Sequence, residues 1–218
     1  MGFSLFIEYA ESQPLFFFSV VVTVVVSIVL HELSHGAAAI WQGDRTPIER
    51  GHMTLNPIVH MGWISLVMLA VAGIAWGLMP INPYRFRSRY GDAMVAAAGP
   101  LMNLILAAIA LTGLGLWFRF AFDPTTGASA LSGKVIYFVE TFGEVNLVLF
   151  LFNLIPIPPL DGSRILATFS RPYAQLLNSP NRQGVMAVLF VVVFLAGGYL
   201  YVAATKAAGA YLGWLMML

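Results

Sequence analysis

The chain has no cysteine in its 218 residues. Disulfides are therefore excluded, and so is any thiolate metal site, which leaves His, Asp and Glu as donors for a metal. Charge is scarce as well. Asp, Glu, Lys and Arg make up 10% of the residues, against about 25% in soluble domains. The net charge is +1 and no dense basic run exists, which argues against a nucleic-acid partner. The leading stretch MGFSLFIEYAESQ lacks Lys and Arg and carries Glu8 and Glu11. A secretory signal needs a basic start and a shorter apolar run, so the first apolar segment is expected to stay in the mature protein.

What fills the chain instead is apolar: 59% hydrophobic residues and a mean hydropathy of +0.82. The pattern predicts an all-α polytopic membrane protein with the lipid bilayer as its surroundings. About four full transmembrane helices are expected, at 14–41, 93–119, 135–156 and 184–205. The tail after Lys206 is too short to cross a core that needs about 20 residues. Polar loops fall at 42–62, 81–92, 120–134 and 157–183. Residues 63–80 are apolar but interrupted by Gly73, Gly77 and Pro80.

The most informative segment is His31-Glu32-Leu33-Ser34-His35. It follows LFFFSVVVTVVVSIVL (15–30), which has no charge at all. An ionisable group inside a membrane costs on the order of 3 kcal/mol and therefore marks function. On a helix, positions i and i+4 share a face. His31 and His35 can thus hold one metal ion with Glu32 beside it, as in metalloproteases. A catalytic zinc site needs a third ligand and an open position.

Asp161 is the candidate third ligand. It ends NLIPIPPLDG, where three prolines forbid a regular helix and deliver a carboxylate at the end of a span. The competing reading is a cap on the next helix, since Asp serves well at that position. The ligand reading bears on topology. If 63–80 dips in and returns, Asp161 ends on the same side as the end of the first helix. Arg45, Arg50, Arg85, Arg87, Arg89, Arg164, Arg171 and Arg182 then also share one side, which satisfies the positive-inside rule. Residues 63–80 are accordingly expected to be re-entrant or interfacial, with the active site toward the cytoplasm.

Several separated motifs resemble the site-2 proteases, the zinc intramembrane metalloproteases. They are HELSHGAAAIWQGD (31–44), TLNPIVH (54–60), INPYRFR (81–87), AAAGPLMN (96–103) and FNLIPIPPLDGSRIL (152–166). The resemblance covers about residues 14–170 and looks like the compact prokaryotic type, without a PDZ or CBS domain. It implies a single integral membrane protease domain over 1–218. It implies one Zn2+ per chain on His31, His35 and Asp161, with Glu32 as the catalytic glutamate. Gly99 and Asn103 match a GxxxN motif, and Asn153 matches the Asn ahead of the proline turn. For these three the roles left open are substrate or oxyanion contact and helix packing.

The implied activity is hydrolysis of peptide bonds in or near transmembrane segments of single-span membrane-protein substrates, at the cell membrane. Two stretches depart from the compact pattern: His60-Met61-Gly62-Trp63, where HxDPxG is common, and Gly77-Leu78-Met79-Pro80, where Lys-Pro-Val-Pro is common. Both concern substrate access rather than metal. His52 and His60 read as loop residues. Tyr9, Trp41, Trp63, Trp76 and Tyr84 suit interfacial anchors. Gly209 and Gly213 form a GxxxG pair of the kind that packs membrane helices. The rivals are a metal transporter and a non-proteolytic zinc-binding membrane protein. A transport path needs ligands on several helices, and only Glu140 and Glu144 lie in spans outside the main cluster.

Overall fold

The computed structural model describes residues 5–122, 129–177 and 179–217. All regular structure among them is helical. After a short helical turn come α1 (Tyr9–Ser12), α2 (Pro14–Trp41), α3 (Thr46–Glu49), α4 (Pro57–Ala72) and α5 (Gly91–Phe120). They are followed by α6 (Ala130–Asn153), α7 (Asp161–Phe169), α8 (Arg171–Leu177), α9 (Pro180–Leu195) and α10 (Gly197–Met217). Of the expected loop at 120–134, residues 123–128 lie outside the described residues. So does the side chain of Arg182.

Valine-rich α2 has weak intrinsic helix propensity. In lipid that matters little, because a helix satisfies every backbone group internally. Pro14 stands in its first turn, where a missing N–H costs nothing. Three helices, α2, α5 and α6, are long and apolar enough to cross a membrane. A fourth span exists only if α9 and α10 are taken together, bent by 48°.

The expected single helix at 184–205 is therefore corrected. It breaks at Ala196, ahead of Gly197-Gly198, and the chain continues as helix to Met217 rather than ending in a short tail. Two adjacent glycines weaken a helix, and α10 gains packing by turning. Its Ala204, Ala208, Leu212 and Leu215 are buried. Ala208 and Leu212 pack with Leu111 and Leu114 of α5. Small residues let apolar helices approach closely; Gly209 and Gly213 lie off this face, each with open space where a Cβ would stand. The outer faces of α5 and α9 expose Leu101, Ile105, Ile109, Val188 and Leu195, as lipid-facing helices do.

Helix α5 is central, packed on α2, α6, α7 and α10. It runs antiparallel to α2: His35 meets Val95, and His31 meets Asn103. The end of α2 lies beside the approach to α5, where the Arg87 N–H donates to the Gln42 carbonyl at 2.8 Å. The chain between these helices therefore leaves and returns at one end of the bundle. It does so by doubling back. Helix α4 is interrupted at Gly62 (φ 68°) and stops at Gly73 (φ 71°), both in the region that favours glycine. The non-helical run 74–82 then returns along α4. The Leu78 N–H donates to the His60 carbonyl at 2.9 Å. The Ser65 hydroxyl accepts from the Trp76 N–H at 2.9 Å and donates to the Trp76 carbonyl at 2.8 Å. These bonds satisfy irregular backbone from within, as low-dielectric surroundings require. The segment 63–80 is thus re-entrant with respect to the bundle.

Asp44 ties this excursion to the end of α2. Its fully buried carboxylate accepts from the Thr46 N–H at 3.0 Å, the Thr46 hydroxyl at 2.5 Å and the Asn82 N–H at 2.6 Å. Burial alone would raise its carboxyl, but these donors and the nearby Arg85 guanidinium hold it below the ordinary range. A depressed folded-state value means stability that is present above the unfolded value, about pH 4, and lost as pH falls through the folded one. Asp44→Ala is expected to lower stability by about 2–3 kcal/mol, read from thermal unfolding in detergent at neutral pH. The gap between variant and wild type should close as the pH is lowered from about 4 toward the lower folded-state value. A gap that stays constant would show that the carboxylate is not the source.

Candidate metal centre

His31 and His35 sit one turn apart on the buried face of α2, and Asp161 is the first residue of α7. The structure brings all three together. The two Nε2 atoms are 2.9 Å apart. Asp161 Oδ2 lies 3.1 Å from His31 Nε2 and 3.3 Å from His35 Nε2. Zinc bonds of about 2.0–2.2 Å place the ligand atoms of a tetrahedral site about 3.3–3.5 Å apart. The triangle is of that size, slightly contracted.

The other face of each ring fixes its chemistry. His35 Nδ1 donates to the Val95 carbonyl at 2.7 Å. His31 Nδ1 donates to Asn103 Oδ1 at 2.6 Å. In a neutral imidazole with hydrogen on Nδ1, Nε2 is a bare lone pair. Two lone pairs and a carboxylate oxygen thus converge on one point with no proton between them. That donor set suits a divalent cation, and ligating histidines are held by their second nitrogen in this manner. The set is the one group of three or more His, Asp or Glu side chains among the described residues placed to hold a metal.

The remaining expected residues separate. Asp161 does not act as a cap: Leu160 occupies the cap position of α7, without a side-chain hydrogen bond, so the carboxylate is free to face the histidines. Gly99 lies where α5 closes on the site, and a Cβ there would collide with Nε2 of both His31 and His35. Asn103 is fully buried, with both amide atoms committed to His31 and Asn146. It supports a ligand instead of facing a substrate. Asn153 donates back to the Leu149 carbonyl of its own helix at 3.0 Å and stays outside the cluster. Glu32 is buried beside it on α2. Against its carboxylate lies Gly77, where a Cβ would strike Glu32 Oε1. The sequence offered no signal for this contact. His60 donates from Nε2 to the Thr54 carbonyl at 2.6 Å, and His52 from Nδ1 to the Arg50 carbonyl at 3.0 Å. His52 is a loop residue as expected, whereas His60 is buried in α4; neither joins the cluster. Glu144 accepts from the Tyr201 hydroxyl at 3.3 Å, away from the metal ligands.

A helical membrane bundle with this convergent His-His-Asp set beside a glutamate has the form of a zinc metalloprotease. Comparison with known proteins gives the same class. The chain belongs to peptidase family M50, the site-2 proteases. The Peptidase family M50 profile matches residues 118–196, the part that contains Asp161. The chain is 36% identical to the Putative zinc metalloprotease YwhC of Bacillus subtilis, over 82% of each chain. It is 30% identical to the Putative zinc metalloprotease Rip2 of Mycobacterium tuberculosis, over 84% of this chain and 71% of that one. Zinc metalloprotease MJ0392 of Methanocaldococcus jannaschii is 29% identical, over 79% of this chain and 40% of that one. No solved structure matches significantly.

Gly99 provides the sharpest test of the geometry. Gly99→Ala adds one methyl where the two Nε2 atoms converge. Zinc content after purification should fall well below that of wild type while helical circular dichroism stays unchanged. Full zinc in this variant would show that α5 does not bound the site as described.

Proposed function

We propose that this chain is an intramembrane endopeptidase that cuts single-span membrane proteins within or beside their transmembrane segments. Depth is the observation that carries this reading. His31 lies ten residues before the end of α2, about 15 Å along its axis at 1.5 Å per residue. The hydrocarbon core is about 30 Å thick, so for a span ending at Trp41 the two histidines stand about 9 and 15 Å inside it. A soluble peptide would have no reason to reach them, whereas a membrane-spanning one is already there.

His31, His35 and Asp161 would hold one zinc, leaving a position open. Bound there, the ion supplies Lewis acidity that activates water near neutral pH and polarises a carbonyl. Glu32 takes the proton of the attacking water and delivers it to the leaving amine. The helix and the run 74–82 keep the Glu32 carboxylate beside the ligands and shield it from bulk solvent. A substrate helix hides its carbonyls in its own hydrogen bonds, so it must unwind locally. The non-helical backbone at 74–82, packed on Glu32 through Gly77, is where an unwound segment can align by strand addition. The arginine-rich loops at the metal end of the bundle favour the cytoplasmic side for that end. Transport is disfavoured, because no second set of ligands lines a path among the described residues.

The test is cleavage of a panel of single-span membrane proteins by purified protein in detergent, wild type beside Glu32→Gln, with zinc counted in both. Cleavage by wild type alone at equal zinc is expected, with the variant at least about 100-fold slower, the lower end for loss of a general base. Equal cleavage by both would remove Glu32 from the mechanism. Zinc without cleavage of any substrate would favour a non-proteolytic binder.

A further inference from the structure

One buried polar residue near the site is not accounted for by the motifs. Asn146 is fully buried in α6. Its Nδ2 donates to the Phe142 carbonyl one turn back, at 2.9 Å. Its Oδ1 accepts from Asn103 Nδ2, also at 2.9 Å. Asn103 Oδ1 in turn accepts from His31 Nδ1.

An amide can face either way round, and its partners decide which. The far end of this chain of bonds is a backbone carbonyl, which can only accept. Asn146 must therefore turn its NH2 to Phe142 and its oxygen to Asn103. Asn103 must then turn its NH2 to Asn146 and its oxygen to His31. His31 is left with hydrogen on Nδ1 and a lone pair on Nε2. With either amide reversed, oxygen would face oxygen, or NH2 would face NH2, in a site too dry to compensate.

We infer that Asn146 is a positioning residue for His31: through Asn103 it fixes the tautomer that leaves Nε2 free for zinc. This rests on the metal reading of His31, His35 and Asp161. Asn146 itself bonds to none of the ligands. Without its oxygen, Asn103 is free to rotate by half a turn and present its NH2 to His31 Nδ1. That favours hydrogen on Nε2, where it blocks the ligand position.

Zinc affinity, measured by competition with a chromogenic chelator on purified full-length protein in detergent, tests this without recourse to activity. Asn146→Leu should weaken zinc by roughly ten- to a hundredfold, the usual cost of losing a ligand's supporting partner. The same change is then made in an Asn103→Asp background. A carboxylate offers His31 Nδ1 an accepting oxygen whichever way it faces, so no orienting partner is needed. There the loss should shrink to less than about threefold, the scatter expected of uncoupled sites. Asn146→Ala, which removes the amide without adding bulk, reads the same comparison if leucine misfolds. An equal loss in both backgrounds would reduce Asn146 to packing and overturn the inference. Unchanged affinity in a folded single variant would do the same. Wild-type protein that binds no zinc would instead overturn the metal reading itself.

Discussion

Two imidazoles in the second half of an apolar helix must have every nitrogen satisfied by protein or metal, because lipid offers no hydrogen bonds. This constraint organises the fold around α2. Each Nδ1 needs an acceptor, and α5 comes close enough to provide one to each ring, a backbone carbonyl to His35 and a side-chain amide to His31. The approach is possible because Gly99 has no side chain at the crossing. Each Nε2 is left bare, and Asp161 arrives opposite them. A site of bare lone pairs and a carboxylate would be costly without a cation, so the same geometry that makes the fold legal in a membrane selects for a metal.

The re-entrant segment obeys the same rule in reverse. It carries backbone that is not helical to the level of Glu32, and Ser65, His60 and Asp44 take up the N–H groups of Trp76, Leu78 and Asn82. An apolar, regular helix here would be easier to build, but its side chains would keep the backbone away from Glu32. Gly77 is where the two demands meet: the backbone touches the glutamate because nothing intervenes.

How much of this was legible in the sequence follows from which signals are local. The bounds of α2 could be read from Pro14 and from Gln42-Gly43, and the two histidines from their i, i+4 spacing. The return of 63–80 followed from parity, since Asp161 must reach the depth of His31. Asp161 stood between two roles until the structure showed that the cap of α7 makes no use of its side chain. Local reading placed one span at 184–205, because the sequence is apolar on both sides of the break at Ala196; the packing of Ala204 and Ala208 belongs to the helix beyond it. Asn153 stood out for its motif, yet it bonds to its own helix. Asn146 stood out for nothing, because an Asn bonded to its own helix and one that orients a neighbour look alike in sequence. The pairing of Asn146 with Asn103 spans 43 positions, beyond the reach of any local pattern.

The residues that support the site lie on one face of α5. Asp92 pairs with Arg164 of α7, three residues beyond Asp161. Val95 holds His35, Gly99 makes room for both imidazoles, and Asn103 holds His31. Positions 92, 95, 99 and 103 recur at the three- and four-residue steps that line up on a helix. A single rigid element thus positions two ligands through their second nitrogens and the third through an ion pair on its own helix. A rotation of α5 about its axis would disturb all three ligands together, and α6 joins the same network through the bond of Asn146 to Asn103. The ligands come from α2 and α7, but the geometry of the site is set by the helix that contributes none.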